Sequence, residues 1–200
     1  GIYIQGKAIN LGDCTGPVSA QFVLKDPLVD LAVLETARGG MLRSGLGFEN
    51  CDVGICTNVA ADHLGLKDIN TLEELANVKS TVPRSVRRDG YAILNADDEL
   101  VMAMRKQCDC KIALFSLDEN NRLIRQHCKL GGLAAIYENG FITISKGEWK
   151  LRIEKAVNVP LTLGGKAVFN IQNILPAVLA AYVQGVKLEE LKEALSTFVP

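Results

Sequence analysis

Two apolar runs of this 200-residue chain end in groups suited to chemistry. Asp52-Val-Gly-Ile-Cys-Thr57 reads as a buried strand and leads into Asn58-Val-Ala-Ala-Asp62-His63-Leu-Gly65. Val29-Asp-Leu-Ala-Val-Leu34 reads as a second strand, ends in Glu35 and opens into Thr36-Ala-Arg38-Gly39-Gly40. An open α/β sheet keeps its ligands at the carboxyl ends of its strands. A carboxylate on one strand end and an imidazole on its neighbour therefore point to a metal–phosphate site. Glu35 suits magnesium, directly or through water, because that ion takes hard oxygen ligands, keeps several waters and needs only one or two carboxylates. The alternative is a surface carboxylate at a strand end. His63 is one of two histidines; the other, His127, sits on an ordinary helix. With Asp62 before it and Asn58 at the strand's end, His63 has the company a ligand needs.

Lys79 raises a second question. Leu72, Leu75, Lys79, Val82 and Val86 are spaced three and four residues apart, which places Lys79 in the apolar stripe of its own helix. A lysine there either snorkels out or has a buried partner. Buried and uncharged, it can act as a nucleophile or take up carbon dioxide as a carbamate, an anionic metal ligand. A competing stripe, Leu75, Val78 and Val82, leaves Lys79 at the edge. Arg38 and Arg43 bracket Gly39 and Gly40, where guanidinium groups can clamp phosphate or carboxylate or simply be solvated. Thr15-Gly16-Pro17 is a substrate-facing loop or a plain turn. Asn170 and Asn173 lie one helical turn apart after Gly164-Gly165; their amides can face a base or a sugar, and Asn170 equally suits an N-cap. Arg84, Arg87 and Arg88 cover a solvated helix end. No G-x-x-x-x-G-K-[ST] occurs. A phosphate-transferring site of this layout needs one before Gly1.

The elements that must hold these groups alternate. Residues 2–9 read as a strand, 10–17 as a loop, 19–24 as a short helix closed before Pro27, 29–34 as a strand, 36–47 as a Gly-rich loop with a helical turn, and 52–57 as a strand. Thr71 and Glu74 form a capping box; the helix they open runs towards Arg88 and is bent by Pro83. Strand 91–94, helix 98–107, strand 111–117 and helix 119–129 follow. This rhythm predicts an α/β fold, a mostly parallel sheet flanked by helices. Residues 133–138, 141–146 and 149–154 then read as a small three-stranded antiparallel meander with Asn139-Gly140 at its first turn. Helices over 170–184 and 188–198 close the chain. The expected division is a parallel part, 1–130, a meander, 131–165, and C-terminal helices, 166–200.

Composition narrows the function classes. At 48% hydrophobic and 22% charged the chain can bury a core. A net charge of −1 offers no field for nucleic acid or a membrane surface. The longest apolar stretch, Ile174 to Val183, contains Pro176 and is too short to span a bilayer. The six cysteines have no C-x-x-C spacing and read as free thiols of a reducing cytosol. Gly1-Ile-Tyr-Ile-Gln-Gly opens as a strand without a starting Met, as in a piece of something longer.

Three stretches carry a resemblance. Glu35-Thr-Ala-Arg-Gly-Gly-Met-Leu-Arg-Ser-Gly-Leu46, Cys51 to Gly65, and Asp89-Gly-Tyr-Ala-Ile-Leu-Asn-Ala-Asp-Asp98 resemble the central domain of the Mur ligase family. The opening residues 1–6 and 12–17 look similar to the same domain. The Glu-Thr-Ala-Arg-Gly-Gly run places the likeness in a storage-polymer branch rather than among the peptidoglycan ligases. The resemblance implies that ATP phosphorylates a carboxylate and that an amine attacks the acyl phosphate to form an amide. In that branch arginine is added to the β-carboxyl of a poly-aspartate (cyanophycin) primer. It implies Glu35 and His63 as magnesium ligands, Lys79 at the place of a carbamylated lysine, Asn170 and Asn173 beside the adenine, and Asn58 with them in the nucleotide site. Lys79, Arg38 and Arg43 are then the catalytic candidates and Thr15 the substrate contact. It further implies a cytoplasmic protein, a homo-oligomer at full length, and an isolated fragment that lacks the P-loop and its strand and is inactive. The alternatives are a non-catalytic domain for assembly or polymer binding, and a ligase acting on a peptidoglycan precursor.

Overall fold

The structure, a computed structural model, describes residues 1–61, 65 and 69–199. Its first element is not one strand over 2–9 but a hairpin, β1 (Ile2–Ile4) and β2 (Lys7–Asn10), paired antiparallel. Gln5 and Gly6, both at positive φ, make the two-residue turn that splits it. Helix α1 (Pro17–Leu24) starts at Pro17, whose fixed φ suits a first turn. The expected strand over 29–34 does not form. A strand needs a neighbour to take its backbone hydrogen bonds, and residues 29–34 have none among the described residues. Val33 is 90% exposed. Helix α2 (Arg38–Ser44) fills the Gly-rich loop.

The main sheet has six strands in sequence order. β3 (Cys51–Cys56), β4 (Val86–Asn95), β5 (Lys111–Ser116) and β6 (Leu133–Glu138) run parallel. β7 (Phe141–Lys146) and β8 (Trp149–Lys155) follow antiparallel. The meander therefore extends the parallel sheet, sharing β6 with it. Between the strands run α3 (Leu72–Lys79), α4 (Thr81–Arg84), α5 (Glu99–Ala103) and α6 (Arg122–Lys129); α7 (Val168–Val183) and α8 (Leu188–Thr197) come last.

Side chains alternate across a strand, and here that alternation builds two cores. Leu94, Leu114, Ala134 and Ile136 pack with Leu75, Val101 and Ile124 on the face covered by α3, α5 and α6. Ile93, Phe115, Ala135 and Ile142 pack with Leu175, Leu179 and Leu191 on the face covered by α7 and α8. The capping box at Thr71 is present, with the Glu74 amide donating to the Thr71 hydroxyl at 3.1 Å. The helix it opens stops at Lys79 rather than running to Arg88. Pro83 sits in the separate turn α4, and Val86 already belongs to β4. Arg87 and Arg88 are consequently strand residues, and Arg87 pairs with Asp52 of the neighbouring strand. Among the described residues no helix is long and apolar enough to cross a membrane.

Candidate active site

The carboxyl ends of β3, β4 and β5 carry a connected polar cluster. β3 leaves the sheet through Thr57, Asn58 and Val59. The Thr57 carbonyl accepts from the Asn95 amide at 2.8 Å, and the Asn58 carbonyl from the Lys79 ammonium at 2.8 Å. The Val59 N–H donates to Asp98 Oδ2 at 2.7 Å. Asp98 Oδ1 meanwhile caps α5, accepting from Leu100 and Val101 at 2.9 and 3.0 Å. Asp97 accepts from the Ser116 hydroxyl at 2.5 Å, the Leu117 N–H at 2.8 Å and the Asn121 amide at 2.9 Å. Every strand end in this row is thus tied to the next. Burial pushes the thiol of Cys56, just inside, up to about 11, against a smaller pull from Lys79.

Lys79 is half-buried at the end of α3, while Leu75 and Ala76 carry the burial of that helix. It stands at the edge of the stripe, with its ammonium turned to the β3 exit. Asn58 itself is exposed. His63 lies outside the described residues.

The arginines lie on a neighbouring helix. α2 packs against α3, so Arg38 and Arg43 share a helix pair with Lys79. The loop before α2 is fixed to the Thr15 loop: the Ala37 N–H donates to the Thr15 carbonyl at 3.2 Å. Gly40 permits this closeness, since a Cβ there would lie 3.1 Å from the Gly16 Cα. Asp13 Oδ1 accepts from the Thr15 hydroxyl at 2.8 Å and its N–H at 3.2 Å. Those two bonds hold the Asp13 carboxyl below its usual range, with a small further pull from Arg43. Glu35 is exposed and lines, with Thr15, Cys14 and the β1 residues, a cleft of about 690 Å³.

The structure thus joins Lys79 to Asn58, packs the helix that carries Arg38 and Arg43 against the helix that ends in Lys79, and gathers Thr15 and Glu35 along one cleft. Among the described residues no three acids, cysteines or histidines form a metal-binding group. An exposed carboxylate such as Glu35 nevertheless suits magnesium, which keeps most of its waters. Asn170 and Asn173 share the start of α7, but Asn170 is not the N-cap: Ala167 is, and the Asn170 amide reaches back to the Leu161 carbonyl at 2.7 Å. Asn173 is exposed. Sequence reasoning gave no role to Asn95 and Asp98, although Asn95-Ala-Asp-Asp98 ends a buried strand in the way that drew attention to Asn58.

Comparison with known proteins bears on this layout. A family model described as the Mur ligase middle domain matches residues 1–181. A cyanophycin synthetase of Crocosphaera subtropica is 56% identical over 198 residues, covering 99% of this chain and 23% of that protein. One from Trichormus variabilis is 54% identical over 198 residues, again 99% of this chain and 22% of the relative. A UDP-N-acetylmuramate–L-alanine ligase of Acetivibrio thermocellus is 30% identical over 149 residues, 73% of this chain and 29% of that protein. Among solved structures, MurF from Acinetobacter baumannii superposes with a TM-score of 0.50 at 20% identity, over 74% of this chain and 29% of that one, and so shares its fold. The chain spans under a quarter of the length of the synthetases it matches.

Proposed function

The chain belongs to the Mur ligase middle-domain family, and from that premise we propose that it is the ATP-dependent amide-forming part of a cyanophycin-type synthetase. ATP gives its γ-phosphoryl group to the β-carboxyl of a poly-aspartate primer, leaving ADP and an acyl phosphate. The α-amine of arginine attacks the acyl carbon, the C–O bond to phosphate breaks, and an amide and inorganic phosphate result. The observation that carries this reading is the 56% identity to a named cyanophycin synthetase over 99% of this chain; the Lys79–Asn58 bond at a strand's carboxyl end and the packing of α2 against α3 support it.

Each residue then has a task. Arg38 and Arg43 neutralise the carboxylate and phosphate charge that builds up, the kind of preorganised charge that usually supplies the largest catalytic term. Lys79 adds an ammonium, or as a carbamate an anionic ligand. Glu35, with His63, holds magnesium, which when bound supplies Lewis-acid stabilisation of the phosphoryl oxygens. Asn58, Asn170 and Asn173 face the nucleotide, and Thr15 faces the primer. The triphosphate cradle comes from outside these 200 residues, so the purified 200-residue chain does not hydrolyse ATP in response to arginine. The reaction is cytoplasmic and the whole protein a homo-oligomer.

The test uses the whole gene product containing these residues, fed ATP, magnesium, labelled arginine and a poly-aspartate primer. Wild type incorporates arginine. Arg38→Ala and Lys79→Ala each lower the rate of arginine incorporation on the order of a hundredfold. A wild type that ignores arginine but ligates a peptidoglycan precursor overturns the substrate assignment. One that consumes no ATP supports instead a non-catalytic domain for assembly or polymer binding.

A further inference from the structure

The three peptide units that leave β3 are each held by a side chain from a different element. Asn95, at the end of β4, donates to the Thr57 carbonyl; Lys79, from α3, donates to the Asn58 carbonyl; Asp98, before α5, accepts from the Val59 N–H. Two donors and one acceptor match a sequence of carbonyl, carbonyl and N–H. Asn95 is 2% exposed, so its amide is a committed partner rather than a passing surface contact. Turns at strand ends are ordinarily among the more mobile parts of a domain. This one is tied by hydrogen bonds to three side chains, and the Lys79 ammonium is itself one of them.

Resting on the ligase reading above, we propose that Asn95 and Asp98 are positioning residues for that reaction. They fix the β3 exit turn and, through the Asn58 carbonyl, the direction of the Lys79 ammonium; neither touches substrate. A displacement of about 1 Å in such a group is enough to cost on the order of a hundredfold in rate.

Asp98 allows the role to be separated from mere folding. One of its oxygens caps α5 and the other takes the Val59 N–H. Asp98→Asn has a single oxygen and serves only one of the two. Asp98→Ser keeps a good capping oxygen and abandons the turn. Both variants are made in the whole gene product and assayed for kcat, for KM of arginine and ATP, for the magnesium concentration that gives half-maximal rate, and for melting temperature. We expect kcat to fall tenfold to a hundredfold, the KM for arginine to hold, and the Asp98→Ser melting temperature to stay near wild type. Wild-type kcat in both variants overturns the positioning role. A kcat that falls only in step with the fraction unfolded, and recovers on cooling, also overturns it. A wild type that adds no arginine fails the ligase reading itself and removes the role with it, an outcome visible before any variant is compared.

Discussion

Residues 51–199 and residues 1–50 treat their apolar side chains in opposite ways. The former bury them on both faces of one sheet, with Phe115, Leu175 and Leu179 wholly enclosed. The latter bury only Ile2, Ile4, Ala20 and Leu46 and leave Leu28, Leu31 and Val33 largely in solvent. The candidate site draws on both regions. Lys79, Asn58, Asn95 and Asp98 stand on the packed body, whereas Glu35, Thr15, Arg38 and Arg43 stand on the open one. The first group stands over a buried core, whereas the second stands on elements with little buried apolar surface, among whose contacts are that of α2 with α3 and the Thr15–Ala37 bond.

The contrast can be broken most directly by truncating one residue on each side. Leu175→Ala should cost about 3–5 kcal/mol, and Val33→Ala less than about 0.5 kcal/mol, read from urea denaturation of the two variants. Equal losses would abolish the distinction. Within the body, Gly132→Ala should cost about 1–3 kcal/mol, because a Cβ there would lie 2.3 Å from the His127 ring. A variant as stable as wild type would mean that the α6–β6 turn is as yielding as the first 50 residues.

Acid should weaken the body next. Burial lowers the His127 imidazole below its ordinary value of 6.5, and the carbonyl of Leu133 at 3.2 Å offsets this only in part. The unfolded chain binds that proton more readily than the folded one. The contribution of neutral His127 is complete above pH 6.5 and is lost as pH falls through the lowered folded-state value. Melting temperatures between pH 7.5 and 5, about the window in which histidine titrates, should decline, and His127→Gln should flatten the decline. One effect has the opposite sign. The Thr143 hydroxyl is buried without a hydrogen-bond partner among the described residues, so Thr143→Val should raise stability by about 1 kcal/mol in the same denaturation measurement.

Much of the body was legible in the sequence because its signals are local. The capping box at Thr71, the Asn139-Gly140 turn and the short apolar runs of β4 to β6 specify their structures through neighbours only a few residues away. Where the reading failed or left alternatives open, the deciding partner was distant or lacking. Val29–Leu34 has strand composition, but a strand exists only with a neighbour to accept its hydrogen bonds. Lys79 has helical spacing with Leu75, but its orientation follows from a carbonyl 21 positions away. By itself, then, the order of residues determined the family, the alternation of strand and helix, and which side chains could do chemistry. Tertiary structure alone decided that Asn95, Asp98 and Lys79 meet on one exit turn. Backbone groups leaving a strand must find partners, and only packing determines which side chains are within reach.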